Sequence, residues 1–285
     1  MGEPLLSIIT VCRDDAYGLR RTLQSFAGLN HDRIETIVID GSDGDDCASV
    51  ESAFRGAITV YVHGPDRGLY HAMNKGVARA RGHGFLFVNA GDEIYNAQRL
   101  NQLVAHCGTD LGRKLHFGGH VQAIGPHFLP VQAQLLTPEG IAQGIVPSHQ
   151  EAILPAGFSK ANPYDEGLRF LSDAKLLKRA FSELEHIRLD ALLVVVEHGG
   201  ISSFPGSWLS VLRHCREAMA LEKPTPVILG FMVRVLARKI VAALLGGKKL
   251  EAIQIARALR RAHRSSEGGG LLGPRSNREE LTADL

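Results

Sequence analysis

Four short segments in the first hundred residues gather the side chains best suited to chemistry. Arg13, Asp14 and Asp15 follow one apolar run, and IDGSDGDD places Asp40, Asp43, Asp45 and Asp46 within seven residues. GPDRGLYHAMNKG carries Asp66, Arg67, Asn74 and Lys75, and NAGDE carries Asn89, Asp92 and Glu93. A carboxylate such as Asp40 accepts hydrogen bonds from a ribose hydroxyl or a base N–H. Asp92, beside the flexible Gly91, suits a divalent cation, because Mg²⁺ and Mn²⁺ prefer carboxylate and phosphate oxygens. The N–H groups at Gly68–Leu69, where a helix is expected to start, can face an anion. Acids, a helix start and a cation together suit a nucleotide diphosphate bound through metal. Asp45 and Asp46 read as a solvated turn.

The elements that must position these groups follow from hydrophobic spacing. Apolar runs at Leu5–Cys12, Ile34–Asp40, Ile58–Val62 and Phe85–Asn89 predict strands. Helical spacing predicts helices over Tyr17–Leu29 (Leu19, Leu23, Phe26), Cys47–Arg55 and Leu69–Arg81. Strands alternating with helices indicate βαβ units and a parallel sheet. Ligands of such sheets bind beyond the carboxyl ends of the strands, where all four polar turns fall. Further on, Leu115–Ile124 and Phe128–Leu136 read as short antiparallel strands, Ser172–Phe181 as a helix and Leu192–Glu197 as a buried strand. His116 and His120 flank Phe-Gly-Gly, which reads as strand or turn and gives the pair a structural role. From Trp208 the chain reads as helical, broken by Pro224 and Pro226. The last twenty or so residues, with GGG at 268–270 and Pro274, read as a flexible tail.

Composition narrows the class. With 285 residues, 45% apolar and 22% charged, the chain is an ordinary globular protein of one large or two small domains, not a disordered chain, a collagen or a coiled coil. Cys12, Cys47, Cys107 and Cys215 form no CxxC pair, so reduced thiols in the cytoplasm are expected. No secretory leader and no run of about 18 apolar residues appears, so the chain is expected to stay where it is made. GxGxxG, GxxxxGK[ST] and GxSxG are all missing, against a dinucleotide fold, a P-loop and a serine hydrolase. Net charge is +2, yet Trp208–Arg264 carries twelve Lys/Arg against three acids, a local +9 that leaves −7 elsewhere. Val227–Leu245 is apolar except at Arg234, Arg238 and Lys239. Such a helix suits the anionic inner face of a membrane. A core-packing extension with a solvated basic face, or a homo-oligomer contact, fits equally. Nucleic acid is not expected, since the segment's aromatics are Trp208 and Phe231 alone.

LLSIITVCRDDAYGLRRTLQSF, the IDGSDGD turn, PDRGLYHAMNKGVARARG and FLFVNAGDEIY together resemble family 2 glycosyltransferases of the GT-A fold. SHQ at 148–150, YDEGLRFLSDAKLL at 164–177 and EHGGIS at 197–202 match, in order and spacing, the subgroup acting in colanic acid and other exopolysaccharide or glycolipid assembly. The resemblance covers about Pro4 to Ser203. It implies an α/β fold, Rossmann-like, with a mixed, mostly parallel sheet flanked by helices, to which the pattern from Trp208 onward adds a helical C-terminal extension. Residues 1–100 would form the nucleotide-sugar half of the domain and 101–205 its acceptor half, followed by a basic extension (206–264) and a tail (265–285). It further implies a UDP- or GDP-sugar donor, Mn²⁺ or Mg²⁺, a saccharide or lipid-linked acceptor, and inversion at the anomeric carbon. Thr10, Val11 and Arg13 would line the nucleotide pocket and Asp40 would contact base or ribose. Asp66, Arg67, Asn74 and Lys75 would shape the donor site, and Asp92, preceded by Gly91, would bind the metal. Asp173 would be the general base, with Asp165 and Glu166 as rivals, and His149 and Gln150 would lie near donor sugar or acceptor. The pattern departs at His71, where the family has Asp, at Arg13, where Tyr or Asn is common, and at NAGD, which holds one certain carboxylate. Two alternatives stay open. A sugar-nucleotide nucleotidyltransferase would need a Gly-rich basic loop after the first strand, which TVCRDDAYG is not. A non-catalytic nucleotide-sugar-binding relative would survive loss of Asp173 or Asp92.

Overall fold

A computed structural model describes residues 3–124, 127–142, 146–197 and 208–221, with 230, 232–234, 236–237 and 239–240 beyond them. The GGG tail, most of Val227–Leu245 and the chain from His198 to Gly206 lie outside the described residues. Two compact units are present, Met1–Val121 with Val131–Val196, and Gln122–Pro130 with Glu197–Leu285.

The first unit opens with β1 (Leu6–Cys12), α1 (Ala16–Gln24), β2 (Ile34–Asp40), α2 (Asp46–Ala53), β3 (Val60–His63), α3 (Leu69–Arg79) and β4 (Gly84–Phe87). β5 (Glu93–Ile94), α4 (Ala97–Cys107) and β6 (Leu115–Ile124) follow, and β7 (His127–Val131) forms a hairpin with β6. Then come α5 (Pro138–Ala142), β8 (Ala152–Pro155), α6 (Ala156–Ala161), α7 (Ser172–Glu183) and β9 (His186–Glu197), while α8 (Trp208–Leu221) belongs to the second unit. The sheet order is β3-β2-β1-β4-β8-β6-β9-β5. The first four strands are mutually parallel, and β8 pairs antiparallel with both β4 and β6. This is the mixed, mostly parallel α/β sheet expected.

Alternate residues of β1 face opposite sides, as strand geometry requires. Ile9 and Val11 join a core with Tyr70, Met73, Phe87, Leu177 and Phe181, whereas Leu6 and Ile8 join one with Leu19, Leu23, Phe26, Leu100 and Val104. Helices thus cover both faces of the parallel half. Helix starts follow their caps: Asp15 accepts from Gly18 N (2.8 Å) at α1, and Asn96 from Arg99 N (3.0 Å) at α4.

Some boundaries differ from the expectation. The helix expected to Leu29 stops at Gln24, where a turn leads to Gly28 at φ +86°. The strand expected to Leu136 ends at Val131, next to Pro130, which has no N–H for a ladder. α4, β8 and α6 occupy a region whose pattern reads as mixed: α4 buries Leu100 and Val104, with Ala97, Leu103 and Cys107 partly buried beside them, and β8 is four residues long. In the second unit, Val211 and Cys215 on α8 pack against Met232 and Leu236.

Candidate active site

Parallel pairing of β1, β2, β3 and β4 brings Cys12, Asp40, His63 and the turn after Phe87 to one edge of the sheet. Thr10 and Val11 are buried in β1, and Thr10 Oγ1 has no hydrogen-bond partner. Asp40 is fully buried at the end of β2. Its Oδ1 accepts from Ser42 N (2.9 Å) and Cys12 Sγ (3.5 Å), its Oδ2 from Tyr61 OH (2.6 Å) and His63 Nδ1 (3.0 Å). Burial alone would raise its pKa. The bonds from Ser42, Tyr61 and His63 outweigh that and hold the carboxyl below its ordinary value.

The β3–α3 turn holds a second group. Asp66 accepts from Gly68 N (2.8 Å), lies 3.7 Å from Arg13, and is nearly buried. A Cβ at Gly41 would collide with the Asp66 carboxylate, so glycine is required there for the two turns to meet. Arg67 pairs with Glu166 at 2.6 Å, and Lys75 Nζ donates to the Gly64 carbonyl (3.3 Å). Asn74 bonds both Tyr164 O (2.9 Å) and Tyr164 N (2.9 Å), fixing the 164–166 segment on α3. His71 accepts from the Arg67 amide through Nδ1 (3.1 Å).

The third group surrounds the Asn89–Asp92 turn. Gly91 takes φ +95°, a left-handed conformation that favours glycine. Thr22 of α1 fastens the turn: its hydroxyl donates to Asp92 O (2.6 Å) and accepts from Gly91 N (3.1 Å). Asp92 is buried, and Gln150 Nε2 donates to its Oδ2 (3.3 Å). The adjacent residue, His149, donates through Nδ1 to Asp173 Oδ2 (2.9 Å). Asp173 Oδ1 accepts from Tyr70 OH (2.9 Å) and from Ala174 N (2.9 Å). Burial acts to raise the Asp173 pKa, but the His149, Ala174 and Tyr70 bonds prevail and lower it. Phe87 meets His149 edge-on at 6.2 Å and Tyr164 at 5.6 Å, and Tyr164 stacks on Tyr70 at 5.7 Å. Beneath, Glu151 accepts from His120 (2.9 Å) and Ser148 N (2.7 Å), which holds the His149–Gln150 turn in place. Of the rival carboxylates, Asp165 pairs with Lys175 (2.8 Å) and Glu166 with Arg67.

The sequence reading did not name Thr22, Tyr61, His63, Tyr70, Gln150's partner in Asp92, or the buttress Glu151. Tyr70 stands inside the DRGLYHAMNKG block, so its place there was a usable signal; Thr22 had none beyond helical spacing. Among the described residues, Cys12, Asp40 and Cys47 form the cluster of three potential ligands whose atoms lie within 4.8 Å of one another. Two thiols suit a soft cation, and the Asp40 oxygens are already bonded, so this set does not match Mn²⁺ or Mg²⁺. The buried oxygen donor Asp92 does match them in kind.

A mixed sheet with helices on both faces and polar turns at the strand ends is the GT-A architecture. TarS of S. aureus superposes with TM-scores of 0.55 for the full chain (81% of this chain, 43% of TarS, 15% identity) and 0.57 for residues 1–349 in complex with UDP-GlcNAc (81% and 71%, 16% identity). The mannosyltransferase PcManGT of Pyrobaculum calidifontis, in complex with GDP-Man and Mn²⁺, gives 0.54 over 99% of this chain and 79% of its own, at 14% identity. Residues 7–111 match the family Glycosyl transferase family 2. An uncharacterized glycosyltransferase of Mycobacterium tuberculosis is 28% identical over 70% of this chain and 78% of its own. A PGL/p-HBAD biosynthesis glycosyltransferase of Mycobacterium bovis is 31% identical over 41% of this chain and 47% of its own. Residues 7–111 are thus similar to family 2 glycosyltransferases.

Proposed function

We propose that the protein transfers a sugar from a UDP- or GDP-sugar to a hydroxyl of a saccharide or lipid-linked acceptor, with inversion, in cell-surface polysaccharide or glycolipid assembly. One observation carries this reading: the consecutive residues His149 and Gln150 hold two different carboxylates, Asp173 and Asp92. A donor diphosphate at Asp92 and an acceptor hydroxyl at Asp173 would meet across that pair. The nucleotide-sugar complexes of the structural neighbours and the glycolipid role in the mycobacterial relative's name support the choice of substrates.

A Mn²⁺ or Mg²⁺ ion at Asp92 would supply charge to stabilise the leaving diphosphate. Lys75 adds positive charge near the same edge, whereas Arg67 is paired with Glu166 and would have to exchange that partner to do so. Asp173 takes the proton of the incoming hydroxyl as it attacks the anomeric carbon from the face opposite the leaving group, which inverts the configuration. Asp40, locked by four donors, shapes the base and ribose end of the pocket beside Thr10, Val11 and Arg13.

No helix among the described residues is long and apolar enough to cross a membrane. α8 nevertheless exposes Leu209, Leu212 and Met219 on a helix that also carries Arg213 and Arg216. With the +9 excess of Trp208–Arg264, this face suits peripheral attachment to the anionic inner leaflet, where a lipid-linked acceptor resides. Co-sedimentation with anionic but not zwitterionic vesicles tests the attachment; concentration-dependent self-association instead would identify a homo-oligomer contact. The catalytic reading is tested by thermal-shift screening of UDP-, GDP- and dTDP-sugars with Mn²⁺ or Mg²⁺. One nucleotide series should raise the melting temperature only with metal. The absence of any shift would refute the reading.

A further inference from the structure

We infer that His149 is a positioning residue: it keeps one lone pair of Asp173 Oδ2 directed at the acceptor hydroxyl and ties that oxygen to the donor turn through Asn89. The inference rests on Asp173 being the base.

A carboxylate oxygen has two lone pairs. Asp173 Oδ1 uses both, one on Tyr70 OH and one on Ala174 N, each at 2.9 Å. Asp173 Oδ2 accepts one bond, from His149 Nδ1, and so retains a lone pair. The Asp173 side chain keeps 22% of its surface accessible, whereas that of His149 keeps 9%. The incoming proton therefore has one destination, Oδ2. The O–H bond of the acceptor breaks towards that oxygen as the new C–O bond forms, and the electron pair of the old glycosidic bond leaves on the diphosphate. Asp173 ends neutral, and His149 keeps its proton throughout.

The imidazole is specified at both ends. A carboxylate on Nδ1 requires a proton there, and it is Asn89 Nδ2, a donor 3.1 Å from Nε2, that assigns the lone pair to Nε2. The edge-on contact with Phe87 holds the ring plane. Asp173, Tyr70 and Tyr164 are the titratable groups on this side of the ring. Asp92 bonds to the neighbouring Gln150, and His120 to Glu151. Asn89 belongs to the turn that ends at Asp92, so a donor that orders this turn also orders the base.

The test uses the full chain and the nucleotide sugar giving the largest thermal shift, with single-turnover release of nucleoside diphosphate to water as the readout. His149→Leu, which removes the N–H, should lower the rate about 10–100-fold, the scale expected when a reacting group is misplaced by about 1 Å. Donor Kd by calorimetry should stay within about twofold. His149→Gln, whose amide N–H can reach Asp173, should restore most of the rate. Nitrogen-15 NMR of the wild type should show His149 protonated at Nδ1, with the proton resonance shifted downfield and lost in Asp173→Ala. Equal defects in His149→Leu and His149→Gln, a defect confined to donor Kd, or an Nε2-protonated ring would each overturn the inference. The NMR result does not depend on turnover. Failure of the transferase reading would instead appear as a wild type that binds no nucleotide sugar.

Discussion

Replacing Thr22 by Val tests how the metal-side turn is held. The two side chains are nearly isosteric, so packing in the core around Leu19 and Leu23 is retained while the hydroxyl is lost. That hydroxyl serves Asp92 O at 2.6 Å and Gly91 N at 3.1 Å. Asp92 is buried, so its carbonyl is left without this donor and with little access to water. Removing the donor of a buried polar group costs about 1–3 kcal/mol. With the half-buried Gly91 N–H added, Thr22→Val should destabilise the protein by about 2–3 kcal/mol. For a chain of this size that corresponds to roughly 4–12 °C in melting temperature. The turn should also loosen around the Asp92 carboxylate, weakening metal-dependent donor binding about tenfold. Urea denaturation reads the first effect, and calorimetric titration of UDP with and without Mn²⁺, well below the melting temperature, reads the second. Thr22→Ser should recover both. If Thr22→Val unfolds at the wild-type midpoint and binds UDP with unchanged metal dependence, the turn is not held by this hydroxyl.

Asp173→Asn should lower transfer by about 10²–10⁴-fold, the usual range for a lost general base, with donor Kd unchanged by calorimetry. Asp92→Ala should remove the difference between donor affinity with and without Mn²⁺, read in the same titration. Gly41→Ala would drive the Asp66 carboxylate off Gly68 N; a loss of about 1–3 kcal/mol in urea midpoint is expected, with weaker donor binding. Asp40 has its carboxyl held below the ordinary value, so its contribution to stability is full above the unfolded-state pKa, about 3.9, and disappears as pH falls through the folded-state value. Asp40→Asn should therefore be less stable at neutral pH and lose less stability on acidification, as followed by urea midpoints from about pH 6 to about pH 2.

The parallel half of the fold was readable because its strands are buried on both faces and its turns carry glycine and aspartate. Leu6–Cys12 and Ile34–Asp40 stand almost where their apolar runs begin and end. β8 was not readable: four residues, Ala-Ile-Leu-Pro, carry no period, and they form a strand because β4 and β6 flank them. The site divides in the same way. Asp40 ends a strand, Asp66 lies just before a helix start and Asp92 follows a strand, so all three could be marked from local pattern. Asp173, by contrast, is one acid among several in YDEGLRFLSDAKLL. It is set apart from Asp165 and Glu166 by partners far away in the chain, since those two meet Lys175 and Arg67, whereas Asp173 meets Tyr70 and His149.

Residue order alone determined the alternation of strand and helix, because periodicity is a property of neighbours within a few positions. It also determined that the polar turns after β1, β2, β3 and β4 would fall at the same end of the sheet, because strands that run parallel end on the same side. Folding in three dimensions decided which acid is cradled by a tyrosine and an imidazole, which is tied to Gln150, and which is closed off under Tyr61 and His63. Those assignments depend on contacts between residues up to 103 positions apart. Burial and hydrogen bonding, which set what a carboxylate can do, exist only once such contacts have formed.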